Sequence, residues 1–489
     1  KPVWALPHCR HPRYAGTIFP FADAFSDMPD RSLPRAARSS LDLIGKTPMV
    51  EVTRLDTGPC RLFLKLENQN PGGSIKDRIA LSMIDAAERD GRLKPGGTII
   101  EATAGNTGLG LAQVAGVKGY KVILIVPDKM AREKILHLRA MGVDVRITRS
   151  DVGKGHPEYY QDMAQTIAQQ TGAFYVNQFE NPANPAAHEA TTGPEILEQM
   201  EGDLDAMVVG VGSGGTLTGL GRYFRKASPK TQMILADPAG SILYDYVNTG
   251  TYGEAGSWIV EGIGEDFIPD NAQMDLVSKA YSITDRESVE TARELLEKEG
   301  ILAGSSSGTL LAAALKYCRE QTEPKRVVSL VCDTGGKYLT KMFNDMWVAA
   351  HGFEDRTAHG DLRDLIARDY GEGGVVTLSP DDTLLTAYNR MRSGDISQMP
   401  VVDHGRLVGI LDESDILACV GGREGRADRF GQKVSAAMTR DVHTLQVHEG
   451  VEALKPVFDR DQVAVVVDGE KLVGVITRVD LINHLRRSA

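Results

Sequence analysis

The chain is poor in cysteine and pairs none of it. Cys9, Cys60, Cys318, Cys332 and Cys419 are scattered along 489 residues with no CxxC. That spacing offers no disulfide framework and argues for reduced thiols, hence a cytoplasmic protein. Long apolar runs are missing as well. The longest purely aliphatic stretch, Val122-Ile123-Leu124-Ile125-Val126, is far too short to span a bilayer, and no segment has the layout of a secretory signal. No membrane association is expected. Basic runs are also lacking, and the formal net charge is -11, so nucleic acid is not expected as a partner. His8-Cys9-Arg10-His11 gathers two His and one Cys, but lacks the separated second half of a structural zinc site. No metal is expected. What remains is an ordinary globular composition, 42% hydrophobic and 25% charged, in a chain long enough for several domains.

Residues 1-40 are irregular, rich in Pro, Arg and Ser, and read as an arm. From 41 to 350, short β-branched strands alternate with helices of ten to fifteen residues, the rhythm of βαβ units and a mostly parallel sheet. Residues 351-360 lose apolar periodicity and read as a linker. The chain then repeats itself. Pro400-Val401-Val402-Asp403-His404-Gly405-Arg406-Leu407-Val408-Gly409-Ile410 is echoed by Val465-Val466-Val467-Asp468-Gly469-Glu470-Lys471-Leu472-Val473-Gly474-Val475. Two β-α-β-β-α units, at 361-422 and 433-489, account for this.

Four loops of the 41-350 region carry chemistry. Asn70-Pro71-Gly72-Gly73-Ser74-Ile75-Lys76-Asp77-Arg78 turns from a strand into a helix and sets Lys76 at its mouth. The positive end of the helix dipole and partial burial both disfavour the ammonium form, leaving a nucleophilic amine suited to a Schiff base. Glu101-Ala102-Thr103-Ala104-Gly105-Asn106-Thr107-Gly108 opens another helix, and its free N–H groups suit a carboxylate. Gly212-Ser213-Gly214-Gly215-Thr216 offers a cradle of N–H groups and two hydroxyls. It is neither a Walker loop nor GxGxxG, so a single monophosphate suits it best. Gly304-Ser305-Ser306-Ser307-Gly308-Thr309 adds uncharged hydroxyls. An amine, a phosphate cradle, a carboxylate site and neutral hydroxyls together match pyridoxal 5′-phosphate (PLP).

These motifs, in this order, resemble the β-family of PLP enzymes. Val260-Glu261-Gly262-Ile263-Gly264, Asp237-Pro238-Ala239-Gly240-Ser241 and the C-terminal repeats resemble the cystathionine β-synthase branch. The resemblance implies an α/β, fold-type II PLP-dependent catalytic domain with parallel sheets, followed by a Bateman module of two CBS domains. It implies that Lys76 binds the cofactor and acts as the general base at Cα. Asn106 would face the cofactor's 3′-oxygen, Gly212, Ser213, Gly214, Gly215 and Thr216 its phosphate, and Ser306 its pyridine nitrogen. Thr103, Ala104, Gly105, Thr107, Gln178, Glu261 and Gly262 would hold the substrate. The implied reaction condenses serine or cysteine with homocysteine, giving cystathionine and water or hydrogen sulfide. A cysteine synthase carrying CBS domains is the alternative enzyme, and an adenosine-nucleotide-sensing regulatory protein the alternative of another class. Thr477 and Asp480 match the T-x-x-D ribose motif of CBS domains, which implies S-adenosylmethionine or an adenine nucleotide there. A homodimer is implied by the family. Departures from the animal pattern matter too: Cys9 lacks the His partner of the haem-binding arm, so no haem is expected. Phe179 and Glu265 stand where animal enzymes tend to have Tyr.

Overall fold

The computed structural model describes residues 36-103, 105-353, 358-371, 373-421 and 429-488. Most of the 1-40 arm, with His8, Cys9 and His11, lies outside the described residues, as does Ala104.

Among the described residues, the 41-350 region contains ten strands in two sheets. The larger sheet holds β1 (Met49–Glu51), β2 (Arg61–Lys65), β7 (Ala206–Val209), β8 (Gln232–Pro238), β9 (Lys279–Ile283) and β10 (Arg326–Leu330). Their spatial order is β1-β2-β10-β7-β8-β9. β1 runs antiparallel to β2, and the other pairings are parallel. The smaller sheet is wholly parallel, in the order β5-β4-β3-β6, from β3 (Thr98–Ala102), β4 (Lys121–Pro127), β5 (Asp144–Thr148) and β6 (Phe174–Tyr175). Strands such as β7, buried at all four positions, show why the sequence reads as continuous apolar runs: helices cover both faces.

The helix Lys76–Arg89 joins the two sheets. It starts three residues earlier than its apolar periodicity suggests, because the first turn is polar. Ile79, Met83, Ile84 and Ala87 are fully buried against Leu111, Val114 and Ala115 of the helix Asn106–Lys118. Each large side chain of this seam contributes roughly 1.5–3 kcal/mol. The second helix stops at Gly119, whose φ of 81° supplies the left-handed cap.

The C-terminal repeats form one sheet, β12-β13-β16-β15-β14, from β12 (Gln398–Asp403), β13 (Arg406–Asp412), β14 (Thr444–Gln446), β15 (Ala464–Asp468) and β16 (Lys471–Ile476). β11 (Arg368–Asp369) pairs with β16, so the opening segment of the first repeat belongs to the core of the second. Leu362, Leu365 and Ile366 pack there with Leu454 and Val457. Reciprocally, Val434 and Met438 pack with Leu384 and Val401 of the first repeat. The units are less alike than their sequences. Where the first has a helix, Leu384–Gly394, the second has a 3-10 turn, Val451–Leu454, before Lys455–Phe458. Pro456 cannot donate to the carbonyl four residues back, which breaks the α-helical start. No described helix is long and apolar enough to cross a membrane.

Candidate active site

Parallel sheets present ligands to the loops beyond their strand carboxyl ends. Here the loops after β2, β3, β7 and β10 converge on one cavity of about 600 Å³, a size that accommodates a cofactor with a small substrate. Among the helices that begin at or beside it are Lys76–Arg89, Asn106–Lys118, Gly215–Ala227 and Ser305–Arg319. The N–H groups of their first turns have no intrahelical acceptor and carry partial positive charge, which makes the cavity a receptor for anions.

The sequence-derived candidates are brought together. Lys76, Thr103, Asn106, Thr107, Gln178, Gly212, Ser213, Gly214, Gly215, Thr216, Glu261, Gly262 and Ser306 all line the cavity. Gly105 does not line it; its N–H donates to Thr103 Oγ1 at 3.1 Å and its φ of 118° admits the turn. The Lys76 side chain makes no hydrogen bond or ion pair among the described residues. Burial drives its amine below the ordinary lysine range, and the charges of Cys332, Asp333 and Glu265 offset this only in part.

The phosphate cradle is tight and uncharged. A Cβ on Gly215 would lie 1.9 Å from Asn184 Oδ1, and one on Gly212 would lie 2.5 Å from the Gly262 carbonyl. Gly214 adopts φ +82°. Asn184 Nδ2 donates to Ser213 Oγ at 2.9 Å, and Thr216 Oγ1 lies 3.3 Å from His188 Nε2. His188 is held neutral, its pKa pushed far down by burial and then by the Lys76 and Arg78 charges. A compact dianion held by backbone dipoles fits this donor set.

The three serines of the Ser305–Arg319 helix divide their work. Ser305 Oγ accepts from Glu261 N at 3.1 Å, and Ser307 Oγ accepts from Cys332 N at 2.9 Å. Ser306 is the cavity-facing one, a neutral hydroxyl at the place proposed for the pyridine nitrogen. Cys332 beside it is inert, its thiol pushed up to about 12 by burial. Thr107 Oγ1 donates to Gln178 Oε1 at 2.7 Å, which ties two substrate-loop candidates together.

The motifs did not reveal the buried polar layer behind the loops. Glu261 gives one carboxylate oxygen to Lys134 and the other to Lys341, each at 2.7 Å. Asp333, Lys337 and Tyr338 contact Asn106 or its partners. Their only sequence signal is charge in the otherwise small and apolar stretch after β10. Among the described residues no group of three His, Cys, Asp or Glu is placed to hold a metal.

Thr477 and Asp480 sit at the start of the helix Arg478–Ser488. Thr477 N and Oγ1 both donate to Asp480 Oδ2, at 2.7 and 2.6 Å. In the first repeat Asp412 and Asp415 make the equivalent capping box. A second cavity of about 500 Å³ lies between the two hairpin turns, around His404, Arg406 and Glu470, and neither Thr477 nor Asp480 lines it.

Comparison with known proteins agrees with the geometry. The family model for pyridoxal-phosphate dependent enzymes matches residues 41-333, and that for the CBS domain matches 366-422 and 434-487. The chain is 33% identical to the cystathionine beta-synthase of Dictyostelium discoideum over 460 residues, covering 92% of each chain. It is 31% identical to that of Saccharomyces cerevisiae over 493 residues, 91% of this chain and 97% of the yeast protein. Among solved structures, a hydrogen sulfide-producing enzyme from Fusobacterium nucleatum is 36% identical with TM-score 0.58, covering 62% of this chain and all of that one.

Proposed function

The chain belongs to the cystathionine beta-synthase family of pyridoxal-phosphate dependent enzymes, and from that premise we propose how its residues carry out β-replacement in transsulfuration. The β-substrate is serine or cysteine, and the thiol is homocysteine. Serine and homocysteine give cystathionine and water; cysteine in place of serine gives hydrogen sulfide instead of water.

The observation that carries the reading is a desolvated Lys76 amine, unpaired among the described residues, that shares one cavity with an uncharged anion cradle and the Ser306 hydroxyl. The cofactor, when bound, supplies an aldehyde for the amine and a ring that draws electrons from Cα. Lys76 would hold it and, once displaced by the substrate's amine, would take the Cα proton as general base. The cradle N–H groups anchor the phosphate, and the loop from Thr103 to Thr107, with Gln178, receives the substrate carboxylate. Ser306 would face the pyridine nitrogen, where a hydroxyl does not enforce protonation as a carboxylate does. That keeps charge at Cα short-lived and favours loss of the β-group over transamination. The test is an assay of purified protein with serine and homocysteine against O-acetylserine and sulfide. The first pair should turn over at least about tenfold better in kcat/KM; preference for the second would make the chain a cysteine synthase with CBS domains.

The cradle gives a second prediction. Ala at Gly214 would be strained at φ +82° and would set a Cβ 2.6 Å from Ala272 N. Strain of about 1–2 kcal/mol is expected to weaken PLP binding roughly tenfold, read by fluorescence titration of the cofactor-free protein.

The reading extends to the C-terminal module. The CBS-domain match and the T-x-x-D pair support an adenosine ligand such as S-adenosylmethionine at Thr477 and Asp480, checked by calorimetric titration. Regulation would require different affinity for two activity states. A homodimer is part of the same reading, and the exposed Leu417, Val479, Ile482 and Leu485 offer it apolar surface; light scattering reports the mass.

A further inference from the structure

Asn106 lines the cavity at the head of its helix, and its amide is gripped at both ends. Lys337 Nζ donates to Oδ1 at 2.9 Å, while Nδ2 donates to Asp333 Oδ2 at 2.7 Å. An ammonium cannot accept and a carboxylate cannot donate, so the amide cannot turn over without losing both bonds. The other N–H of Nδ2 has no partner among the described residues and is available to the cavity. The chain of contacts continues inward. Tyr338 Oη donates to the same Asp333 oxygen at 2.8 Å and accepts from Lys134 Nζ at 2.8 Å. Lys134 then donates to Glu261 Oε2 at 2.7 Å. Asp333, Tyr338, Lys134 and Glu261 are all buried.

Asp333 is expensive where it stands. It makes no ion pair among the described residues, and Oδ1 has no hydrogen-bond partner. That oxygen lies against Gly304, where a Cβ would come within 1.9 Å. A buried carboxylate held by two neutral donors is a net cost to folding. Strain and desolvation of this kind concentrate where a functional group must be held in place.

We infer that Asp333 is a positioning residue. With Lys337 it fixes the Asn106 amide so that one N–H faces the cofactor's 3′-oxygen, and Tyr338 ties that setting to the Glu261–Gly262 loop. The inference rests on the cofactor placement given under the proposed function. Two partners of a neutral amide, of opposite charge, do what neither does alone: they choose its orientation and polarise the remaining N–H.

The test uses full-length holoenzyme with Asp333→Asn and Tyr338→Phe, each measured for PLP content, absorption spectrum and steady-state kinetics. Asp333→Asn can turn its amide and release Asn106. Tyr338→Phe cuts the link to Lys134 and leaves the Asp333–Asn106 and Lys134–Glu261 pairs intact. Val348→Ala is the control: it loosens the same apolar cluster as Tyr338 without touching the polar chain. At full PLP occupancy, Asp333→Asn should move absorbance from the yellow visible band to the near-ultraviolet and raise the serine KM about tenfold. Tyr338→Phe should do the same to a smaller degree, and Val348→Ala should keep the parent spectrum. Parent spectra and KM in both chain variants, or an equal shift in Val348→Ala, would overturn the inference. A parent protein that never turns yellow with PLP would overturn the cofactor placement itself and this inference with it, a result distinct from a yellow parent whose variants are unaffected.

Discussion

Lys76→Ala is expected to lower turnover by about 10²–10⁴-fold, the range for removing a general acid–base group, and to abolish the yellow colour of the protein. Two functions leave with one amine, since no other lysine in the cavity stands at a helix mouth beside Ser306. Lys129 and Lys134 also line the cavity, but Lys134 is committed to Glu261 and Tyr338. PLP should still associate through the Gly212–Thr216 cradle, reversibly and without the visible band. The fold should not suffer. The Lys76 side chain has no polar partner among the described residues, and burial already disfavours its charge. The cofactor-free variant should therefore melt no lower than the cofactor-free parent, as expected of a residue kept for chemistry at some cost in stability. Surviving turnover at the parent rate would remove Lys76 from the mechanism.

Arg78→Ala is the second large effect, and it acts on stability. The guanidinium makes two bonds of 2.8 Å to Glu67, whose side chain is fully buried, and two more, of 2.8 and 2.7 Å, to Glu195. Lys65 reaches the same Glu195 at 2.8 Å. These contacts bind β2, the Lys76 helix and the helix Gly193–Gln199 into one joint. Removing one partner of a buried ion network leaves an uncompensated charge and costs about 3–5 kcal/mol. Thermal or urea unfolding of the catalytic region reads this directly. Lysine in its place keeps the charge but not the paired fork, and should recover only part of the loss.

The same joint sets an acid limit. Burial alone would raise the Glu195 carboxyl, but the bonds from Arg78, and then from Lys65, hold it down to about 2. A carboxyl with a lowered folded-state pKa stabilises the protein above its unfolded pKa, and that stability is lost as pH falls toward the folded value. The parent should therefore lose stability progressively from about pH 4.5 to about 2, and Arg78→Ala should show a shallower acid limb because less remains to be lost. An identical limb in both proteins would show that the joint does not govern acid unfolding.

How far the sequence could be read follows from where each residue's partners lie. Lys76, Asn106 and the Gly212 to Thr216 cradle belong to short motifs in which the turn, the helix start and the functional group are contiguous, so local rules place them. The βαβ rhythm likewise comes from strands and helices that each show their own period. Asp333, Tyr338 and Lys134 gave no such signal. Tyr338 meets Lys134 across 204 positions of sequence, and Lys337 meets Asn106 across 231. A lysine such as Lys134, between Glu133 and Ile135, reads as solvated until the fold closes over it. Glu261 shows the same limit. Its motif placed it at the cavity, but not that both of its oxygens are taken by lysines. The exchange of segments between the two repeats was also hidden, because β11 and the Val434 segment are too short to show a period.

The proposed mechanism stands on one covalent bond, between the Lys76 amine and the cofactor. Reducing the PLP-loaded protein with borohydride fixes an imine as a stable amine, and peptide mass spectrometry then locates the pyridoxyl group. The added mass is expected on the peptide containing Lys76 and on no other lysine of the cavity. Recovery of the label on Lys129 or Lys134, or a reduced protein with bound PLP and no label, would contradict that assignment.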